Sequence, residues 1–322
     1  MKRRSVLKWS AVALAGGAVP LVRAQSPHIR LVVPFPPGAA NDTIARLLAD
    51  AIAKRSRRTW IVENKAGAGS MIGIDSVAKA AADGTTLLFG ASDGLAVLPA
   101  VRPVMPYDPG RDFAHLARIA TSPYVLVVNS QVSARDFAGF VKLANQQPGN
   151  MRVATTGTGT LGDMGTILLA SAANVELTSV PYKGMSPAVN DLVAGHVEAL
   201  LVTPTTIAPH LASGKVRALV VLGPRRSPML PDVPTAAEVG LAGADVAAWW
   251  GVLAPAKTPA GALAALRSEI AAVLGDAEFR KAIAEKGFDV APLDGDAFAK
   301  FAAADFQRWR DVARKAGITL KD

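Results

Sequence analysis

The chain has 322 residues, half of them hydrophobic, a formal charge of +9 and no cysteine. That length and apolar content suit about two domains with their own cores. The missing cysteines exclude disulfides, thiolate metal sites, a cysteine nucleophile and an N-terminal lipid-bearing cysteine.

Residues 1–24 follow the layout of a secretory signal: basic Lys2-Arg3-Arg4, an apolar run from Trp9 to Val22, and small residues at Val22 and Ala24. Cleavage is expected after Ala24. The run is broken by Gly16, Gly17 and Pro20 and is short for about 30 Å of hydrocarbon, which disfavours an anchor. "RRSVLK" fits a twin-arginine route with Val6 in place of the usual aromatic, and the general secretion route fits nearly as well. Removing the leader removes five basic and no acidic residues, so the charge falls to 9 − 5 = +4. No basic stripe with interleaved aromatics suggests a nucleic-acid partner.

From residue 29 onward, short Val/Leu/Ile-rich runs alternate with helical-period segments: "IRLVVPF" then 43–54, "WIVE" then 71–82, "TLLF", "MRVAT" then 161–173, "LTSVPY" then 186–195, "VEALLV" and "VRALVVL". This alternation predicts an α/β protein of mostly parallel sheets flanked by helices. On the first helix, Ile44, Leu47, Leu48, Ala51 and Ile52 share one face, with Asn41 or Asp42 as N-cap. A boundary is expected near 122–130 and another near 245–255, after which the chain reads as almost wholly helical. The predicted lobes are 25–124 with 248–322, and 125–247, with a ligand cleft and a hinge between them.

The opening loop, "PFPPGAAND", directs a helix N-terminus outward from a strand's C-terminal end, where free N–H groups and the helix dipole favour an anion. "VATTGTGTLGDMG" repeats the arrangement. Its Gly157-Thr158-Gly159-Thr160-Leu161-Gly162 matches G-x-G-x-x-G, but the next strand ends in Tyr182-Lys183 without the acid that would hold a ribose. The same backbone would suit a carboxylate. Asp42 reads chiefly as a cap, and Asp163 equally as a cap or a ligand contact. Lys183 is either an ion-pair partner for a ligand or a solvated lysine, and Phe35 and Tyr182 either pocket walls or core. Of Trp249 and Trp250, one ring is expected in the cleft and the other in a lobe. His28, His115, His196 and His210 lie far apart, without HExxH or G-x-S-x-G, so catalysis is not expected.

Seven ordered segments resemble one family: "VVPFPPGAANDTIARLLA", "VENKAGAGSMIGIDSVAKAAADGTTLLFG", "YDPGRDF", "GTGTLGDM", "SVPYKGMSPAVNDLVAGHVEALL", "GKVRALVVLGPRRSPMLPDVPTAAEVG" and "WWGVLAP". The chain is similar from about residue 29 onward to the tripartite tricarboxylate transporter substrate-binding proteins, the Bug or TctC-like family. The resemblance implies a periplasmic binding protein whose two lobes close on a small organic acid, a di- or tricarboxylate, aromatic acid or acidic amino acid. It implies delivery to separate membrane permease subunits, with no cofactor and no metal. A monomer is expected. It also implies a carboxylate held by backbone N–H groups of the first-lobe loop, Phe35 to Asp42, and the second-lobe loop, Thr156 to Asp163.

The expected ligand contacts are Phe35, Gly38, Ala39, Ala40, Asn41, Asp42 and Ser92 in the first lobe, with Trp249. In the second they are Thr156, Thr158, Gly159, Thr160, Asp163, Tyr182, Lys183 and Thr203. Ala39 stands where the family commonly has a second glycine, Asp163 where it usually has His, and Thr203 where an acid is frequent. Alternatives are a ligand-sensing protein that presents its closed form to a membrane sensor, and an exported hydrolase or dinucleotide enzyme.

Overall fold

The computed structural model describes residues 28–56 and 58–319. The expected leader and its cleavage point lie outside the described residues. Two strand-helix-strand-helix-strand units organise the chain. The first runs β1 (Ile29–Val33), α1 (Ala40–Arg55), β2 (Trp60–Asn64), α2 (Met71–Ala78) and β3 (Thr86–Ala91). A π-helical turn, Asp93–Val97, and the short α3 (Leu98–Val101) follow. The long strand β4 (Phe113–Asn129) and α4 (Phe137–Gln146) lead to the second unit: β5 (Met151–Thr155), α5 (Leu161–Ala173), β6 (Leu177–Pro181), α6 (Met185–Ala194) and β7 (Ala199–Val202). The remainder is α7 (Pro204–Ala212), β8 (Val216–Leu222), β9 (Ala247–Pro255), α8 (Ala260–Leu274), α9 (Ala277–Glu285), β10 (Asp289–Asp294) and α10 (Gly295–Lys315).

Both units are parallel and share one order. β1 pairs with β2 on one side and β3 on the other, and β5 likewise pairs with β6 and β7. β3 and β7 are buried at every position, which explains their unbroken apolar sequences. Around these trios the sheet is antiparallel: β9 pairs with β3 and β4, while β10, β7 and β8 pair with β4. The expectation of mostly parallel sheets is therefore corrected to mixed sheets. A strand-helix alternation identifies the parallel trios, whereas β4 and β9 enter from loops and run against their neighbours. The final segment also contains a strand, β10, too broken by Pro292 and a register shift to read as one from its sequence.

β4 changes partners along its length. Phe113 to Pro123 pairs with β9, and Tyr124 to Asn129 pairs with β8. The chain returns near Val246, whose carbonyl accepts from Tyr124 N and whose N–H donates to the Leu222 carbonyl. α8, α9 and α10 pack on the β1–β3 side of this change, against α1, β4 and β10.

Helix α1 buries Ile44, Ala45, Leu48, Ala49 and Ile52, with Leu47 and Ala51 at the edge of that stripe. It begins two or three residues earlier than its sequence suggests. Its N-cap is Ala39, whose methyl group cannot cap, so neither Asn41 nor Asp42 holds that position.

Candidate functional site

In each parallel trio the central strand has its neighbours on opposite sides, so the connections leaving its C-terminal end diverge and open a crevice. The loops that do this follow β1 and β5. They are the two predicted from sequence, and their hydrogen bonding is equivalent. Gly38 precedes the α1 cap, and its N–H donates to Asp42 Oδ2 at 3.0 Å. Gly159 precedes the α5 cap, and its N–H donates to Asp163 Oδ2 at 2.8 Å. Both glycines have positive φ, +82° and +73°, so the chain turns sharply into each helix. Asp42 and Asp163 thus occupy the third helical position and brace the turn from within, as the distal acid of a capping box does. At α5 the cap adds a second bond, because Thr160 Oγ1 accepts from Asp163 N at 3.4 Å, while Asp163 itself reaches one residue past the cap to Gly159.

These bonds revise the donors expected from sequence. Gly38 and Gly159 give their N–H groups to the carboxylates of their own loops. The N–H groups of Ala40, Asn41 and Asp42, by contrast, have no acceptor among the described residues, and Ala39 offers no side-chain oxygen to cap them. Asp42, 5 % exposed, does not leave this helix end with an unbalanced negative charge. Arg46 bridges both of its oxygens, at 3.0 Å from Nε and 2.9 Å from Nη2, and Asn64 Nδ2 adds 2.9 Å. The Arg46 bond is the main reason the Asp42 pKa falls to about 2, against the opposing effect of burial. Asn64 also donates to the Phe35 carbonyl at 3.1 Å, tying β2 to the loop. Phe35 itself is half-buried against the main core.

The loop after β2 packs beside the turn that follows β3. Gly67, Ala68, Gly69 and Ser70 all have positive φ, and two of them are not glycine. Such a run persists only where surrounding contacts fix it, and strain of this kind gathers at functional loops. Ser70 packs beside Gly94, where a Cβ would lie 2.4 Å from Ser70 Oγ, so only glycine allows the π-helical turn to approach. The turn begins after Ser92, which is fully buried. The hydroxyls of Ser70, Ser92 and Thr155 are buried with no hydrogen-bond partner.

Asp93, next in the chain, joins the two halves. Its Oδ1 accepts from Leu161 N, at the first position of α5, at 3.1 Å. Burial pushes its pKa up, opposed by that backbone bond. Tyr124 lies beside it: burial first, and then the Asp93 charge, raise the phenol far above its ordinary range. A second bridge runs through Trp250, whose Nε1 donates to Asn41 Oδ1. Its ring meets Phe288 edge-on at 5.3 Å, and the neighbouring Gly287 carbonyl accepts from Thr205 Oγ1 at 3.3 Å on α7.

The tryptophan expectation is corrected on this point. Trp249, 1 % exposed, turns away into the helical layer, with Nε1 2.7 Å from Asp305 and its ring edge-on to Phe298 and Phe301. Alternation along β9 places its neighbour Trp250 on the side of the β1 loop. Among the other expected contacts, Ala39, Thr156 and Thr160 are half-buried in the two loops and Thr158 is exposed. Thr203 caps the register of α7, with its hydroxyl 2.9 Å from that of Thr206. Tyr182 is half-buried, and its hydroxyl donates to Asp191 at 2.7 Å, an acid that also meets His196. Burial and that bond raise the Tyr182 pKa to about 12. Lys183 is exposed.

Sequence reasoning did not single out Ser70, Asp93, Tyr124 or Thr155, which the structure places beside these loops, and of the two tryptophans it named Trp249 where Trp250 lies on the side of the β1 loop. An acid two residues after the fully buried strand "TLLFGA" was a visible signal for Asp93. Ser70 had only the glycine-rich "AGAGS" to mark it.

Comparison with known proteins agrees with this architecture. The family model described as "Tripartite tricarboxylate transporter family receptor" matches residues 44–318. A Pseudomonas sp. (strain P51) protein, "UPF0065 protein in tcbD-tcbE intergenic region", is 39% identical over 314 residues, covering 96% of this chain and 93% of its own length. The solved structure "R. palustris Rpa4515 with adipate" is similar at a TM-score of 0.82 and 32% identity, over 91% of this chain and 98% of its own. "MatC (Rpa3494) from Rhodopseudomonas palustris with bound malate" is similar at 0.77 and 33%, over 88% and 98%. With its two-unit sheet, its paired helix-start loops and these matches over most of its length, the chain belongs to the tripartite tricarboxylate transporter receptor family.

Proposed function

We propose that this protein is an exported solute-binding receptor that holds a small organic carboxylate between two lobes and delivers it to membrane permease subunits. The observation that carries the reading is the start of α1. Its first three N–H groups have no acceptor among the described residues, and the acid in its first turn, Asp42, is matched by Arg46. A helix start with free donors and positive partial charge is a ready anion site. Adipate and malate in the two similar solved structures support a carboxylate as the ligand.

The partner change of β4 at Pro123/Tyr124, and the return near Val246, support lobes of 25–124 with 248–322, and 125–247. Asp93–Leu161 and Thr205–Gly287 then lie at the junction where closure would act. Export rests on the leader pattern of residues 1–24. No helix among the described residues is long and apolar enough to cross a membrane.

The test is a thermal-shift screen of the chain from Gln25 against dicarboxylates, hydroxy acids, aromatic acids and amino acids. A ligand at about 100 times its Kd adds about 2.7 kcal/mol to folding stability. A melting curve that no carboxylate moves would refute the reading.

A further inference from the structure

The two helix starts share one scaffold but differ in electrostatics. At α1 the donors are free and the acid is matched by an arginine. At α5 three donors are already engaged: Gly159 N–H by Asp163, Asp163 N–H by Thr160, and Leu161 N–H by Asp93. Two carboxylates therefore meet at this single helix end. Among the described residues neither Asp93 nor Asp163 is paired with a lysine or arginine. The α5 dipole offsets part of that charge, and its effect fades within one turn.

A dicarboxylate spanning the crevice would have to place its second anion against both acids and displace Asp93 from Leu161. A ligand ammonium would meet the opposite situation. Asp93 has lone pairs beyond the one directed at Leu161, and Ser92, its chain neighbour, has a buried hydroxyl without a partner. Thr155, at the end of β5 below the same loop, has another. Burial already disfavours the ionised Asp93, so a cationic partner would relieve a cost that a second anion would increase.

We propose that Asp93 is a specificity-determining residue that makes the second-lobe side of the site accept an ammonium group, so that the ligand is an amino-carboxylate and not a simple dicarboxylate. The carboxylate of such a ligand sits at the N-terminus of α1, and its ammonium faces Asp93. This rests on the receptor function proposed above and narrows its ligand class.

The experiment uses ligands matched in skeleton and differing in the ammonium: glutamate against glutarate, leucine against 4-methylpentanoate, and 5-aminopentanoate against pentanoate. Calorimetric Kd values are measured for the unaltered chain and for Asp93→Asn, which retains an oxygen for Leu161. Asp93→Ser is a second variant should the first not fold. The ammonium member of at least one pair should bind at least tenfold more tightly than its partner, and Asp93→Asn should reduce that ratio at least tenfold, mainly by weakening the ammonium member. Dicarboxylates that bind as well as their amino counterparts would overturn the proposal and leave the receptor reading intact, as would a ratio unchanged in the variants. If no compound of either class binds, the receptor reading fails and the proposal fails with it.

Discussion

Asp42→Asn isolates the acid that braces the α1 start. The substitution keeps shape and removes charge. Asp42 accepts from Gly38, Arg46 twice and Asn64, using both oxygens. An asparagine can keep its oxygen toward Gly38 and Arg46 Nε, but its amide nitrogen then faces Arg46 Nη2 and Asn64 Nδ2, donor against donor. Hydrogen bonds to charged groups contribute about 1.5–3 kcal/mol each, and unmatched buried donors cost about 1–3. The displacement of the Asp42 pKa from 3.8 to about 2 corresponds to at most about 2.4 kcal/mol. The Arg46 side chain is 51% exposed and screened by solvent, so about 1 kcal/mol of that is retained. With the donor mismatch, the total loss should be about 2–3 kcal/mol, lowering Tm by about 4–8 °C for a protein of this size class.

The pH dependence follows from the same pair. A carboxylate whose pKa is lower in the folded state stabilises that state above the unfolded pKa and loses the contribution as pH falls toward the folded value. The difference between the two proteins should be constant from pH 7 to 5. About half of its electrostatic part should be lost by pH 3. Scanning calorimetry at pH 7, 5 and 3 measures this. An unchanged Tm at pH 7, or a difference that widens on acidification, would refute the reasoning.

The two tryptophans should separate stability from binding. Trp249→Phe leaves the buried Asp305 without its indole donor, and should cost about 2 kcal/mol in urea unfolding with ligand affinity unchanged. Trp250→Phe removes the bond to Asn41, and should weaken carboxylate binding about fivefold by calorimetry with little change in stability. Gly251→Ala would put a methyl carbon 2.3 Å from Phe298 Cζ and 2.9 Å from the Ala117 carbonyl; a loss of about 1–3 kcal/mol, or failure to express, is expected. Asp93→Asn should raise the ligand-free Tm at pH 7. Burial raises the Asp93 pKa, so the ionised form costs stability above the unfolded pKa, and the variant's advantage should vanish as pH falls below about 4.

Much of this architecture was legible because it depends on local pattern. Apolar runs with helical segments between them mark β1, β5 and β8 closely, and α5 spans the predicted residues. Pairing direction was not legible for β4 and β9, since it is set by contacts far apart in sequence. The carboxylate braces were half legible. The spacing from Gly38 to Asp42, and from Gly159 to Asp163, is visible in the chain, but whether the acid caps the helix or reaches back past the cap depends on where the helix starts. That start is set by Ala39 and Thr160, which differ in capping power. Trp249 and Trp250 show a sharper limit. Adjacent strand residues face opposite ways, and sequence alone does not say which side of β9 the β1 loop occupies.

The recurrence of one loop design at α1 and α5 separates position from sign. In both units the central strand of a parallel trio ends in a positive-φ glycine, a cap and an acid at the third helical turn position, and this places two helix starts at the crevice whatever the ligand. The charge offered there is decided by residues from other elements. Arg46 lies one turn further along α1 and Asn64 comes from β2; together they neutralise Asp42. Asp93 comes from the turn after β3 and adds negative charge where Asp163 already stands. Loop similarity to carboxylate-binding relatives therefore transfers the place of a ligand more securely than its charge pattern. Removing both charges that flank these helix starts, with Arg46→Gln and Asp93→Asn combined, should shift ligand preference between the two ends and leave the glycine turns in place; retained preference in that double variant would mean that the backbone alone selects the ligand.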